Sequence, residues 1–317
     1  MGMADAGNAS ANLVAAHVGR VRVVLALAFV THLAGALFSG TAVASTVLGA
    51  IDVPRSELAT VLTAGTLAAL GLLVLATGRG LPVSAGLALV AGLAGAAWAA
   101  NGVDGIVWGG VHGVRPYGVL GAALAMVVAP LLGLAAAAGA RALAGAVLHR
   151  ASVRAIRPIS GLLWVSSGLV GLADGSNDGQ KAMAVVVGAL VARGSYTGGG
   201  IPLWVRVAVG LTLALGTVLG ARVLRTVSRR LYATRGLDAA TAETSSAVVI
   251  IASSLVGAPV STTAVVTSGV VGVGVVQHPR HIHWSVVRRV AVVWAISFPV
   301  SLAAGALAYA VLDAVVR

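Results

Sequence analysis

Cysteine is absent from the 317 residues, which excludes disulfides, thiolate metal sites and cysteine nucleophiles. Charge is scarce: 9% of residues are charged and only 9 are acidic. Lys181 is the single lysine, every other basic side chain being arginine. No Gly-Lys-Ser/Thr phosphate loop follows a strand and no soluble nucleotide domain is present, so an ATP-driven pump is excluded. The His-Glu-x-x-His, paired-aspartate and Gly-x-Ser-x-Gly patterns of intramembrane proteases are missing too. The opening residues, Met1-Gly2-Met3-Ala4-Asp5, carry neither a charged nor an apolar leader segment, so no signal peptide is expected.

What remains is apolar. With 58% hydrophobic residues and a mean hydropathy of +0.99, the chain lies outside the soluble range and reads as an all-α, polytopic membrane protein. The net charge of +12 would suggest nucleic acid in a soluble protein. Here the arginines sit in short loops between apolar runs, where membrane orientation explains them and nucleic acid is not an expected partner. Apolar runs long enough to cross a bilayer are read at 23–51, 58–78, 81–100, 117–140, 158–192, 201–221, 239–256, 258–276 and 289–312, after a broken apolar start over 2–19. About ten crossings are therefore expected. Gly35, Ser39 and Gly40 predict a kink within the run from Val23 to Ile51.

Gly175-Ser176-Asn177-Asp178-Gly179-Gln180-Lys181 interrupts the run from Ile159 to Ala192 near mid-membrane. Ionisable side chains cost about 2.5–3.5 kcal/mol there on the mildest scales and usually mark an ion or substrate path. In a soluble chain Asn-Asp-Gly would be an ordinary turn; inside an apolar run the functional reading is favoured. Two glycines and an asparagine predict a broken helix at this cluster, its freed backbone groups facing a cavity.

The cluster has a partner. Gly2-Met3-Ala4-Asp5-Ala6-Gly7-Asn8-Ala9 aligns with Gly175-Ser176-Asn177-Asp178-Gly179-Gln180-Lys181-Ala182, and Gly80-Leu81-Pro82-Val83-Ser84 aligns with Gly257-Ala258-Pro259-Val260-Ser261. Two halves thus carry the same motifs in the same order: residues 1–140 and 158–317, joined by a basic linker over 141–157. If every span crosses, fifteen arginines fall on one side and four on the other, with Lys181 and Arg206 inside spans. That bias marks the richer side as cytoplasmic. An odd number of crossings per half inverts the second half, the architecture of many secondary transporters.

At these residues the sequence resembles the inorganic phosphate transporter family of anion symporters, whose Gly-Ala-Asn-Asp motif occurs once in each inverted half. Gly175 to Met183 looks like the second copy and Gly2 to Asn8 like the first, while Pro259-Val260-Ser261-Thr262-Thr263 is similar to the family's later motif. Departures are visible. Ala4 stands for asparagine, Ala85-Gly86 for two threonines, and Asp174 and Ala264 for frequent histidines. The first motif also begins at residue 2, without the apolar half-helix expected before it, which reads as a shortened start.

The resemblance implies symport of inorganic phosphate with Na⁺ or H⁺ across the plasma (inner) membrane, with sulfate as the alternative oxyanion. A channel and a non-transporting membrane protein are the rival classes. No cofactor is expected beyond the coupling ion. The expected partners are the oxyanion, the lipid bilayer and a second copy of the chain in a homodimer. Asp5 and Asp178 are the expected coupling-ion ligands. Asn8, Ser84, Asn177, Gln180, Lys181, Ser261, Thr262 and Thr263 are the expected substrate ligands, with Pro259 to Thr263 fitting a helix start whose free N–H groups and dipole suit an anion. Lys181 either touches the anion or balances Asp178. Glu243 reads as a solvated first-turn acid in preference to a third ion ligand, and His278, His281 and His283 as a surface loop in preference to a metal site.

Overall fold

The computed structural model describes residues 1–8, 10–16, 18–79, 83–148, 159–196, 198, 200–220, 236–277, 279–282 and 284–316. Most of the linker, the arginines between 222 and 235, Pro82, His278 and His283 lie outside the described residues. Two short helices open the chain, α1 (Gly2–Asp5) and α2 (Ala11–Ala15). They are followed by α3 (Val21–Phe38), α4 (Ala42–Leu48), α5 (Arg55–Gly78), α6 (Ala85–Asn101) and α7 (Gly118–Leu148). After the linker come α8 (Ile159–Ala192), α9 (Leu203–Leu219), α10 (Leu237–Leu255), α11 (Thr262–Gln277) and α12 (Trp284–Val316). A small antiparallel hairpin, β1 (Gly110–His112) with β2 (Arg115–Tyr117), closes the connection between α6 and α7.

Among the described residues, five helical stretches are long and apolar enough to cross a membrane: Val21–Phe38, Arg55–Ala76, Ala85–Gly105, Gly118–Val147 and Val287–Val315. The α6 stretch is the enclosed one, with 61% of its window buried, whereas the α12 window is 22% buried and turns Val292, Ile296, Val300, Leu307 and Val311 outward. Helices α9 and α11 are apolar but shorter.

The packing pairs elements from opposite ends of the chain. Helix α6 packs on α5 and α12, and α11 packs on α10 and α7. Helix α8 lies between them, against α3, α10, α4 and α5.

The helix break expected at Gly175 to Lys181 is not present: α8 runs unbroken for 34 residues through the cluster. The glycines serve close approach instead. A Cβ on Gly175 would fall onto the His32 carbonyl, one on Gly171 onto the Thr31 hydroxyl, and one on Gly35 onto the Leu172 carbonyl. Glycine is thus spent on letting α3 and α8 touch backbone to backbone, as small residues do between membrane helices.

The chain breaks elsewhere, and side chains satisfy the freed backbone. Between α3 and α4, Gln180 Oε1 accepts from Val43 N at 2.9 Å, while Arg206 donates to the carbonyls of Leu37 (3.2 Å) and Ser39 (2.5 Å). Between α10 and α11, Gly257 turns the chain with φ +81°, a conformation that favours glycine, and Ala258 N returns to Ser253 O at 2.8 Å. In the first motif α1 ends at Asp5 and the chain turns through Ala6 to Asn8.

Candidate functional site: a cavity shared by both halves

Serine begins both of the helices that face the site. Ser84 Oγ accepts from Leu87 N at 3.2 Å to cap α6, and Ser261 Oγ accepts from Ala264 N at 3.3 Å to cap α11, the same residue in the same role in each Pro-Val-Ser motif. The first N–H groups of a helix have no partner within it and carry its positive dipole end. Ala85, Gly86, Thr262 and Thr263 occupy those positions in α6 and α11.

Between the two helix starts is a small cavity, with about 10 Å³ of room for water-sized groups, lined by Asp5, Ser84, Ala85, Gly86, Asp178, Lys181, Ser261, Thr262 and Thr263. Seven of the ten residues singled out from the sequence line it. Asp5, Ser84, Asp178, Lys181, Ser261 and Thr262 are all buried.

Polar contacts knit the lining together. The Thr262 hydroxyl lies 3.4 Å from Asp5 Oδ1 and 3.5 Å from Asp178 Oδ2. Lys181 Nζ forms an ion pair with Asp178 Oδ1 and donates to the Val260 carbonyl at 2.5 Å. Asp5 Oδ2 is buried without a hydrogen-bond partner among the described residues. Lys181 is fully buried because Gly86 leaves it room: a Cβ there would come within 2.7 Å of Nζ.

The other three residues stand outside the cavity lining. Asn8 is just behind it, its Nδ2 lying 3.2 Å from both Thr263 Oγ1 and Asp174 Oδ2. Asn177 donates to Ser254 Oγ (2.8 Å) and the Ala258 carbonyl (3.1 Å), and accepts from Val260 N at 3.1 Å. Gln180 is likewise occupied, with Val43 N and with the Ser176 carbonyl at 3.2 Å. Both amides hold chain breaks beside the cavity.

Glu243 corrects a sequence expectation, being fully buried rather than solvated. It accepts from Ser166 Oγ (2.5 Å), Ser167 Oγ (3.0 Å) and Asn12 Nδ2 (2.9 Å). His32, missed entirely, is also buried, with Nδ1 donating to the Ala28 carbonyl at 2.8 Å and Nε2 4.0 Å from Asp174 Oδ2. A stripe does point to part of this network: Ser167, Asp174, Asp178 and Lys181 recur at spacings of seven, four and three, one face of a helix.

The phosphate transporter family model matches residues 1–159 and 142–305. The chain belongs to the phosphate transporter family. It is 36% identical over 97% of its length to the "Probable low-affinity inorganic phosphate transporter" of Mycobacterium tuberculosis, covering 73% of that protein. The protein of the same description in Rhizobium meliloti is 30% identical, over 99% of this chain and 92% of that one. A solved structure described as "The sodium-dependent phosphate transporter" superposes with a TM-score of 0.86 at 22% identity, over 98% of this chain and 95% of that chain. That likeness establishes the fold. The family's members are transporters rather than enzymes, and the chain is a multi-pass membrane protein of that kind.

Proposed function

We propose that this chain moves inorganic phosphate across the plasma membrane by symport with Na⁺ or H⁺. The observation that carries this reading is the convergence, around one small cavity, of carboxylates from both Gly-Asp motifs with hydroxyls from both Pro-Val-Ser motifs. The oxyanion takes its donors from the α6 and α11 starts, from Ser84, Ser261, Thr262 and Thr263, and from Lys181.

Asp5 and Asp178 explain why a cation must travel with the anion. At an effective dielectric of about 20, two like charges about 4 Å apart repel by about 4 kcal/mol. An anion entering beside two carboxylates and one ammonium meets that cost unless a further cation is bound first. Coupling therefore follows from charge balance, and an open anion channel does not fit the same lining.

The relatives' names favour phosphate over sulfate, and the name of the sodium-dependent neighbour favours Na⁺ over H⁺. The crossed packing, with α6 on α12 and α11 on α7, supports two inverted halves that rock about the cavity to expose it alternately. Labelled phosphate uptake into proteoliposomes under an imposed Na⁺ or H⁺ gradient, with excess sulfate as competitor, tests the reading. Gradient-driven uptake that survives sulfate supports it. Loss to sulfate moves the substrate to sulfate, and no uptake of either anion defeats it.

A further inference from the structure

The two halves differ at one reciprocal pair of positions. In the alignment of the motifs Lys181 is the counterpart of Asn8, and Gly86 the counterpart of Thr263. Each residue meets the other half's partner in space. Asn8 Nδ2 is 3.2 Å from Thr263 Oγ1, and Lys181 Nζ fills the space that a side chain on Gly86 would need. A short neutral amide faces a hydroxyl in one half; a long ammonium faces bare backbone in the other.

We infer that Lys181 is a tethered coupling cation, occupying at Asp178 the place a mobile cation would take and leaving Asp5 to bind the cation that is transported. This rests on the symport reading above. The ligands of the ammonium are the Asp178 carboxylate and the Val260 carbonyl. Val260 lies in the non-helical stretch before α11. A carboxylate and the free carbonyls of an unwound segment are what Na⁺ takes in transporters. An ammonium anchored one helical turn from Asp178 competes for these oxygens at a high effective concentration.

At the position equivalent to Lys181 the first half offers no such side chain. Asn8 is neutral, and its amide donates to Asp174 and Thr263 rather than to Asp5. Asp5 is 2% exposed and its Oδ2 has no hydrogen-bond partner among the described residues. A buried carboxylate in that condition is costly until a cation arrives. The Thr262 hydroxyl, with Asp178 Oδ2 within 3.5 Å of it, completes an oxygen-lined place for it.

The test counts Na⁺ bound to the purified full-length protein with radioactive sodium, for wild type, Lys181→Asn and Lys181→Asn/Asp178→Asn. Phosphate uptake is followed in parallel as a function of Na⁺ at constant ionic strength. Lys181→Asn is expected to bind one Na⁺ more per chain than wild type, Asp178→Asn to remove that extra ion, and uptake to become one order steeper in Na⁺. Equal counts in wild type and Lys181→Asn overturn the inference. If Lys181→Asn folds only with salt, rescue by Na⁺ but not choline supports it, and failure to fold in either overturns it. Absent phosphate uptake by wild type would count against the symport reading alone, since the Na⁺ count does not depend on transport.

Discussion

The Thr262 hydroxyl lies 3.4 Å from Asp5 Oδ1, across 257 residues of chain. Asp178 Oδ2 is 3.5 Å from the same hydroxyl, so Thr262 touches the carboxylates of both motifs. It also occupies the first turn of α11.

Thr262→Val should therefore impair transport more than folding. Hydrogen bonds to charged groups contribute about 1.5–3 kcal/mol, so phosphate uptake should fall by roughly tenfold or more, with Thr262→Ser recovering most of it. Uptake by the two variants at matched protein density checks this. Equal activity of Val and wild type would remove Thr262 from the site.

Asn177→Ala should weaken the fold. It removes three hydrogen bonds at the α10–α11 break and strands the buried Val260 N–H and the Ala258 carbonyl. Each unsatisfied buried group costs about 1–3 kcal/mol. A thermal melt in detergent should drop by several degrees, while Asn177→Asp, which keeps one acceptor for Val260 N, should lose less.

The contact of α3 with α8 predicts a sharp contrast between glycines of one helix. Gly175→Ala places a Cβ on the His32 carbonyl, where backbone has to move, whereas a Cβ on Gly161 meets nothing within 4 Å. Overpacking costs about 1–3 kcal/mol and occasionally more. Gly175→Ala should cut the yield of monodisperse protein on size exclusion, and Gly161→Ala should leave it unchanged.

Glu243→Ala should destabilise far more than Glu243→Gln. The carboxylate accepts from three side chains on α2 and α8, and removing it strands donors in a buried site at about 1–3 kcal/mol each. The amide keeps one acceptor oxygen. Melting temperatures that fall equally for both variants would mean that the negative charge, rather than the hydrogen-bond count, matters there.

Arg141 and Asp238 show the opposite case. Their ion pair, 2.5 Å long, is 14% and 23% exposed on the two side chains. Pairs with access to water contribute about 0–1 kcal/mol, so Asp238→Asn should leave both the melt and uptake close to wild type.

Composition alone determined that this chain belongs in a bilayer, since an apolar majority with 9% charge cannot be kept in water. Repetition of two short motifs picked out the residues that line the cavity, because polar groups are too costly in lipid to recur there by chance. Local pattern was misleading at Gly175, where glycine reads as a breaker but allows α3 and α8 to touch, and at Glu243, whose position in the first two turns of α10 suggests water until Asn12, Ser166 and Ser167 are found around it. Whether a glycine bends a helix or admits a neighbour, and whether an amide binds an ion or holds a chain end, depends on what stands opposite. For Asn177, Gln180 and Lys181 that opposite group is between 79 and 137 residues away in the chain, and only the tertiary structure brings it within reach.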